Sequence, residues 1–148
     1  MSWNTLHPQI KTLLETITEL VNVSETPKIN FSGYPAACIY PSENTSDYET
    51  TIENLRVYAF TILLFYETKD GGVDTAFKAM RGLVDKVIDK FDQEDYKDST
   101  TRTIGLSLPA GYTYINIYAH PTKWGEIPDE ALVIAEVLVK IKISRDIT

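Results

Sequence analysis

The segment Leu55–Glu67 constrains this chain more than any other. Leu55, Val57, Ala59, Thr61, Leu63 and Phe65 alternate with Arg56, Tyr58, Phe60, Ile62, Leu64 and Tyr66, so a β-strand here is apolar or aromatic on both faces. One face is expected to meet helices of the same chain. The other needs cover too, from further chain or from a neighbouring subunit. A chain of 148 residues has room for one core and hardly for two, which predicts a single domain over residues 1–148.

Two amphipathic helices are expected to supply the first cover. Leu6, Ile10, Leu13, Leu14, Ile17, Leu20 and Val21 recur every three or four residues. Because proline is tolerated in a first turn, Pro8 places the start near Thr5–His7, and the stripe runs to about Asn22. Val73, Phe77, Met80, Leu83, Val84, Val87, Ile88 and Phe91 make a second stripe, from about Val73 to Phe91, after a Lys69–Gly72 turn. Gly82 inside it costs about 1 kcal/mol relative to alanine, which suggests close approach to another element.

The remaining pattern is β and loop. Short extended pieces are expected at Ile29–Phe31 and Ala36–Tyr40, with Pro41 closing the second. Ser42–Asn54 has no apolar period and reads as a loop or extended arm, long enough to be functional. Asp92–Thr103 reads as an acidic loop. Alternating residues then predict strands through Ile104–Leu108 and Thr113–Ala119 and, after a Pro121–Asp129 loop, Ala131–Ile143. The order α-β-β-α-β-β-β predicts an α+β fold, a mostly antiparallel sheet with two helices packed on one face.

Composition narrows the function. A net charge of −7 with no basic run disfavours gripping nucleic acid, which needs clustered Lys and Arg to neutralise phosphates. The longest apolar stretch, Ala59–Phe65, is too short for a bilayer, and Met1–Leu20 is too polar for a secretion signal. One cysteine, Cys38, makes no intramolecular disulfide and suits a reducing compartment, so a soluble protein made in a cytoplasm is expected.

A catalytic inventory is nearly empty. His7 and His120 are the only histidines, and a Cys38–His120 nucleophile pair has no local mark to support it. The acidic residues between Asp89 and Asp98 lack the spacing of a calcium loop. Gly71-Gly72 lacks a Walker or dinucleotide signature. No catalytic, metal or cofactor site is expected, and the chain reads as a non-enzyme. Nine tyrosines, several beside predicted strands, point instead to protein interfaces.

Gly33–Ser42, the polar arm after it, and Thr51–Phe60 leading into Leu63–Glu67 resemble the tail-terminator (tail-completion) proteins of siphophages. The resemblance covers most of the chain in element order, with Asn54–Phe60 its most distinctive stretch. It implies a structural protein that forms a ring, a homohexamer, by self-association. The ring caps the tail tube, stops its polymerisation and joins the tail to the head-neck connector. Its implied partners are therefore other copies, the tail-tube protein and the connector or stopper protein. Genomic DNA is only passing cargo, and no membrane is involved. The implied location is the virion tail or neck, with host cytoplasm during assembly.

A head-to-tail contact that closes by rotation makes such a ring. Tyr48, Glu49, Glu53, Asn54, Arg56, Tyr58 and Tyr66 are the candidate contact residues for subunit or tube. Asp92, Glu94, Asp95 and Asp98 are candidates for an acidic lumen lining that repels DNA. Another neck or tail assembly protein, such as a tube or head-completion protein, is the alternative. A small ligand-binding or enzymatic α+β domain is the more distant one.

Overall fold

The computed structural model of the protein describes residues 3–47, 53–69, 71–95 and 110–146. The chain runs α1 (Trp3–Glu15), β1 (Asn22–Ser24), β2 (Ala36–Asp47), β3 (Glu53–Glu67), α2 (Gly72–Asp95), β4 (Tyr112–Ile127), a 3-10 turn at Pro128–Glu130, and β5 (Leu132–Asp146). The strands form one sheet in the order β1-β2-β3-β5-β4. All neighbours are antiparallel except β1 and β2, which run parallel. This is the α+β architecture that the element order predicts. The expected strand at Ile104–Leu108 lies outside the described residues.

Both helices cover the same face. Tyr58, Phe60, Ile62 and Leu64 of β3 meet Leu6, Ile10 and Leu14 of α1 and Met80, Leu83, Val87 and Phe91 of α2, with Val137, Val139 and Ile141 of β5 alongside. Period two on the strands and period 3.6 on the helices converge on this layer, which is why it is the main core.

The first helix is shorter than its stripe predicts. After Glu15 the amides of Thr16 and Ile17 reach back only three residues, to the carbonyls of Leu13 and Leu14 at 3.2 and 2.9 Å. The Thr16 hydroxyl also donates to the Leu13 carbonyl at 2.6 Å. These tight turns end the α-helix, yet Ile17 and Leu20 still point inward. Val21, counted in the stripe, is instead 60% exposed, and the next residues form β1. At the other end α1 begins at Trp3, so Pro8 sits beyond the first turn where it was expected.

Gly82 is a second correction. A Cβ there would meet nothing within 4 Å, so no close neighbour demands glycine. Gly82→Ala is therefore expected to raise stability by about 1 kcal/mol through helix propensity. Urea denaturation checks this; an unchanged or lower midpoint would contradict the open environment.

Two prolines read as strand ends sit inside strands. β2 passes through Pro41 to Asp47 with a bulge between Pro41 and Glu43, and β4 passes through Pro121 to Ile127 with a bulge between Pro121 and Lys123. Thus Ser42–Asp47 is strand, not a free arm, and most of the expected Pro121–Asp129 loop is strand too. Conversely, Ile29–Phe31 is not a strand. The Tyr34 hydroxyl donates to the Ile29 carbonyl at 2.6 Å and accepts the Phe31 amide at 3.2 Å, pinning a loop. Phe31 then packs on Phe65, ring centroids 5.6 Å apart.

Candidate assembly surface

The face of the sheet away from the helices is set row by row by the strand register. One row runs Tyr40, Thr61, Leu138, His120 across β2, β3, β5 and β4. The next contains Ala59, Lys140 and Tyr118, and the one after it Val57, Lys142 and Asn116. At the far end the Phe31–Tyr34 loop closes over Cys38, Phe65 and Leu132 as a small second core. Among the described residues, no element packs over the remaining rows. Ala59 and Thr61 in these rows are only 1% and 6% exposed. Among the described residues, the second face of β3 is covered at one end by the Phe31–Tyr34 loop and by no helix along the rest.

The open rows are not uniformly apolar. Lys140 and Lys142 stand half-buried in the middle of β5, and among the described residues neither has a carboxylate partner. Beside Lys140, Tyr118 stacks on His120 with ring centroids 5.3 Å apart and planes 19° from parallel. Exposed tyrosine is enriched at surfaces that bind other proteins, whereas lysine is depleted there and belongs more often to the rim.

The residues singled out from sequence are scattered by the fold. Tyr48, Glu49 and Asp98 lie outside the described residues. Glu53 and Asn54 open β3, opposite Asp146 and Arg145. Arg56 is half-buried and donates to the Tyr58 hydroxyl at 3.4 Å. Tyr58 is a correction: it is 2% exposed and lies in the main core, where Trp3 meets it edge-on at 5.0 Å. Its alternation parity, shared with Phe60 and Ile62, turns its ring toward the helices. Tyr66 is half-buried and borders a cavity of about 310 Å³ between Tyr34, Pro35 and the start of α2.

The acidic group changes character. Asp92, Glu94 and Asp95 belong to the last turns of α2 rather than to a loop. No basic residue stands in the last turn, so carboxylates sit at the negative end of the helix dipole. α2 is 24 residues long, about 36 Å, and starts just beyond the Glu67 end of β3.

A Cys38–His120 pair is excluded by topology. Cys38 is on β2 and His120 on β4, with β3 and β5 between them, a separation of roughly 14 Å across three strand spacings. His7 has a structural place instead. Its Nε2 donates to the Ile39 carbonyl at 2.8 Å, and its ring lies 5.5 Å from Phe60. Ile39 lies just past the stretch of β2 that β1 pairs, so this bond joins α1 to the sheet.

Two groups on β2 predict an alkaline weakness. Burial pushes the Cys38 thiol above its ordinary 9.0. Burial, then the nearby Glu136 carboxylate, pushes the Tyr40 phenol above its ordinary 10.0. Both pKa values are raised on folding, so the stability tied to the neutral forms is complete below about pH 9 and is lost as pH rises through the folded values. Urea midpoints at pH 7, 9 and 10.5 should fall on the alkaline side, and Cys38→Ala should flatten the first part of that fall. A flat profile in the parent protein contradicts the assignment.

Among the described residues no group of three His, Cys, Asp or Glu side chains is placed to hold a metal ion. No helix there is long and apolar enough to cross a membrane. A second cavity of about 310 Å³, between Thr16–Glu19 and α2, is lined by Lys86, Asp89 and Lys90, with Lys86 paired to Glu19.

No protein-family model matches the chain, and no curated protein sequence does. The fold does have a solved counterpart. It is similar to a chain in the virion of a native gene transfer agent particle, with a TM-score of 0.62 and 14% identity over 97% of this chain and 99% of that one. At that identity the likeness shows a shared fold, from one end of the chain to the other.

The surface features that the sequence reading missed are Trp124 and the lysine pair. Trp124 fell in a segment read as loop. Lys140 and Lys142 lie on the last strand, between its inward-facing residues. Their signal was alternation itself: two lysines at period two on a strand otherwise rich in valine and isoleucine.

Proposed function

We propose that the protein is a structural component of a phage-type virion, a tail terminator whose copies form a homohexameric ring on the finished tail tube. The ring stops tube growth and presents a platform to the head-neck connector. The observation that carries this reading is the end-to-end fold likeness to a chain of a gene transfer agent virion. The open sheet face supports it, because an assembling subunit needs surface that its own helices leave uncovered. The acidic end of α2, with Asp92, Glu94 and Asp95, is assigned to the lumen side, where like charge keeps passing DNA from sticking.

The test is capping of tubes assembled in vitro. Added to polymerising tail-tube protein, the purified chain should shorten the tubes and leave a ring at one end in electron micrographs. Unchanged tube lengths with bare ends would sink the terminator reading. Polymerisation of the chain into tubes by itself would make it a tube protein instead.

A further inference from the structure

The loop that joins β1 to β2 is held down in a different way from the strands on either side. Residues 25–30 are all exposed. Among the described residues, no hydrogen bond between two backbone groups involves Thr26–Tyr34. Side chains do the holding instead. At the entry, the Ser24 hydroxyl donates to the Thr26 carbonyl at 3.0 Å and accepts the Thr26 amide at 3.1 Å. At the exit, the Asn22 amide group donates to the Ser32 hydroxyl at 3.2 Å and to the Gly33 carbonyl at 3.1 Å.

Between these ends the loop is clasped by one group. The Tyr34 hydroxyl bonds Ile29 and Phe31 together, and the Tyr34 ring meets Phe31 edge-on at 5.9 Å. Phe31 in turn rests on Phe65, and the Lys28 ammonium lies 4.9 Å from the centre of the Phe31 ring. The Lys28 amide donates to the Cys38 sulfur below.

What lies beneath is apolar. Cys38, Phe65 and Leu132 are at most 2% exposed, although their face of the sheet is the one without helices. Leu63, beside Cys38 in the register, and Ile134, beside Phe65, are partly buried at the margin of the same cluster. A segment without ladder bonds opens at a lower free energy than the paired strands that flank it. Loss of the Tyr34 hydroxyl would release the Ile29 carbonyl and the Phe31 amide together.

We infer that residues 25–34 form a strap that opens as a unit while the sheet and both helices stay folded, with the Tyr34 hydroxyl as its latch. Opening bares Cys38, Phe65 and Leu132 and joins them to Leu63 and Ile134. The sheet face therefore has a continuous apolar strip at this end only when the strap is off, and the closed strap withholds that strip from other chains. This device rests on the fold and not on the ring reading.

Cys38 is the only cysteine of the chain and is buried under the strap, so its reaction with an aromatic disulfide reagent reports opening. The full chain is labelled in excess reagent at a series of urea concentrations below the unfolding midpoint. Labelling should depend on urea far less steeply than global unfolding does, because a short loop bares little surface. Tyr34→Phe keeps the ring and removes the latch, and should speed labelling in water at least about tenfold. Ile62→Val makes a small cavity in the main core and lowers the urea midpoint. Its labelling in water should nonetheless stay within about a factor of two of the parent's. Labelling that shares the urea dependence of global unfolding overturns the strap. So does a Tyr34→Phe rate equal to the parent's, or an Ile62→Val rate that climbs with its loss of stability.

Discussion

Phe60→Ala is expected to lower the unfolding free energy by about 3–5 kcal/mol, the range for emptying a large aromatic site in a packed core. Phe60 has no exposed surface and sits mid-strand in β3, with β2 on one side and β5 on the other. Trp3 meets it edge-on at 5.1 Å with planes at 77°, so the aromatic geometry adds to the lost area. Neither neighbouring strand can move in to fill the hole without breaking its ladder. Typical domains have only about 5–15 kcal/mol in total, so a large share of the stability is at stake. Leu63→Ala is the control: Leu63 is only half-buried, at the margin of the small second core on the other face, and about 1 kcal/mol is expected. Urea melts of both variants decide the matter. Equal losses would mean that the helix-covered face is not the main core.

Ile10→Asp should have an effect at least as large, about 4 kcal/mol or more at neutral pH, because it puts an unpaired carboxylate into an apolar site. Ile10 is fully buried between Leu6 and Leu14 on the inner stripe of α1. The helix is only 13 residues long and is held to the sheet by that stripe, by Trp3 and by the His7 bond to Ile39. Lifting it would expose Ile39 and Phe60 at once. Fast amide exchange in α1 and at Ile39 together with dye binding to newly exposed apolar surface is the expected signature. The sign with pH is also determined. Burial raises the pKa of the new carboxyl above its unfolded value of about 3.9, so the penalty relative to the parent is full at neutral pH and shrinks as pH falls through the raised value. A penalty that does not change with pH would mean that the aspartate has swung into water.

Much of the fold was legible because it depends on local alternation. β3, the two helices and the last strand follow from apolar period alone. The candidate surface was hardly legible, since it consists of residues far apart in sequence that the register brings into rows. Tyr118 and Lys140 are neighbours only because β4 pairs with β5, and Thr61 shares a row with Tyr40 only because β2 lies beside β3. Tyr58 shows the opposite failure. Being a tyrosine on a strand suggested an interface, but its parity with Phe60 already aimed it at the helices.

Pro41 and Pro121 draw the line between the two kinds of information. From sequence, a proline after alternating residues marks a strand end, because it has no amide to give to a neighbour. In the folded protein β4 is the outermost strand, and β2 is bordered by β1 only along Ala36–Cys38, so both prolines sit where an amide has an open side to face. Composition and period determined which residues are buried and which elements form. The order of strands in the sheet determined where those elements stop and which face remains open, because edge and centre exist only once the sheet is assembled.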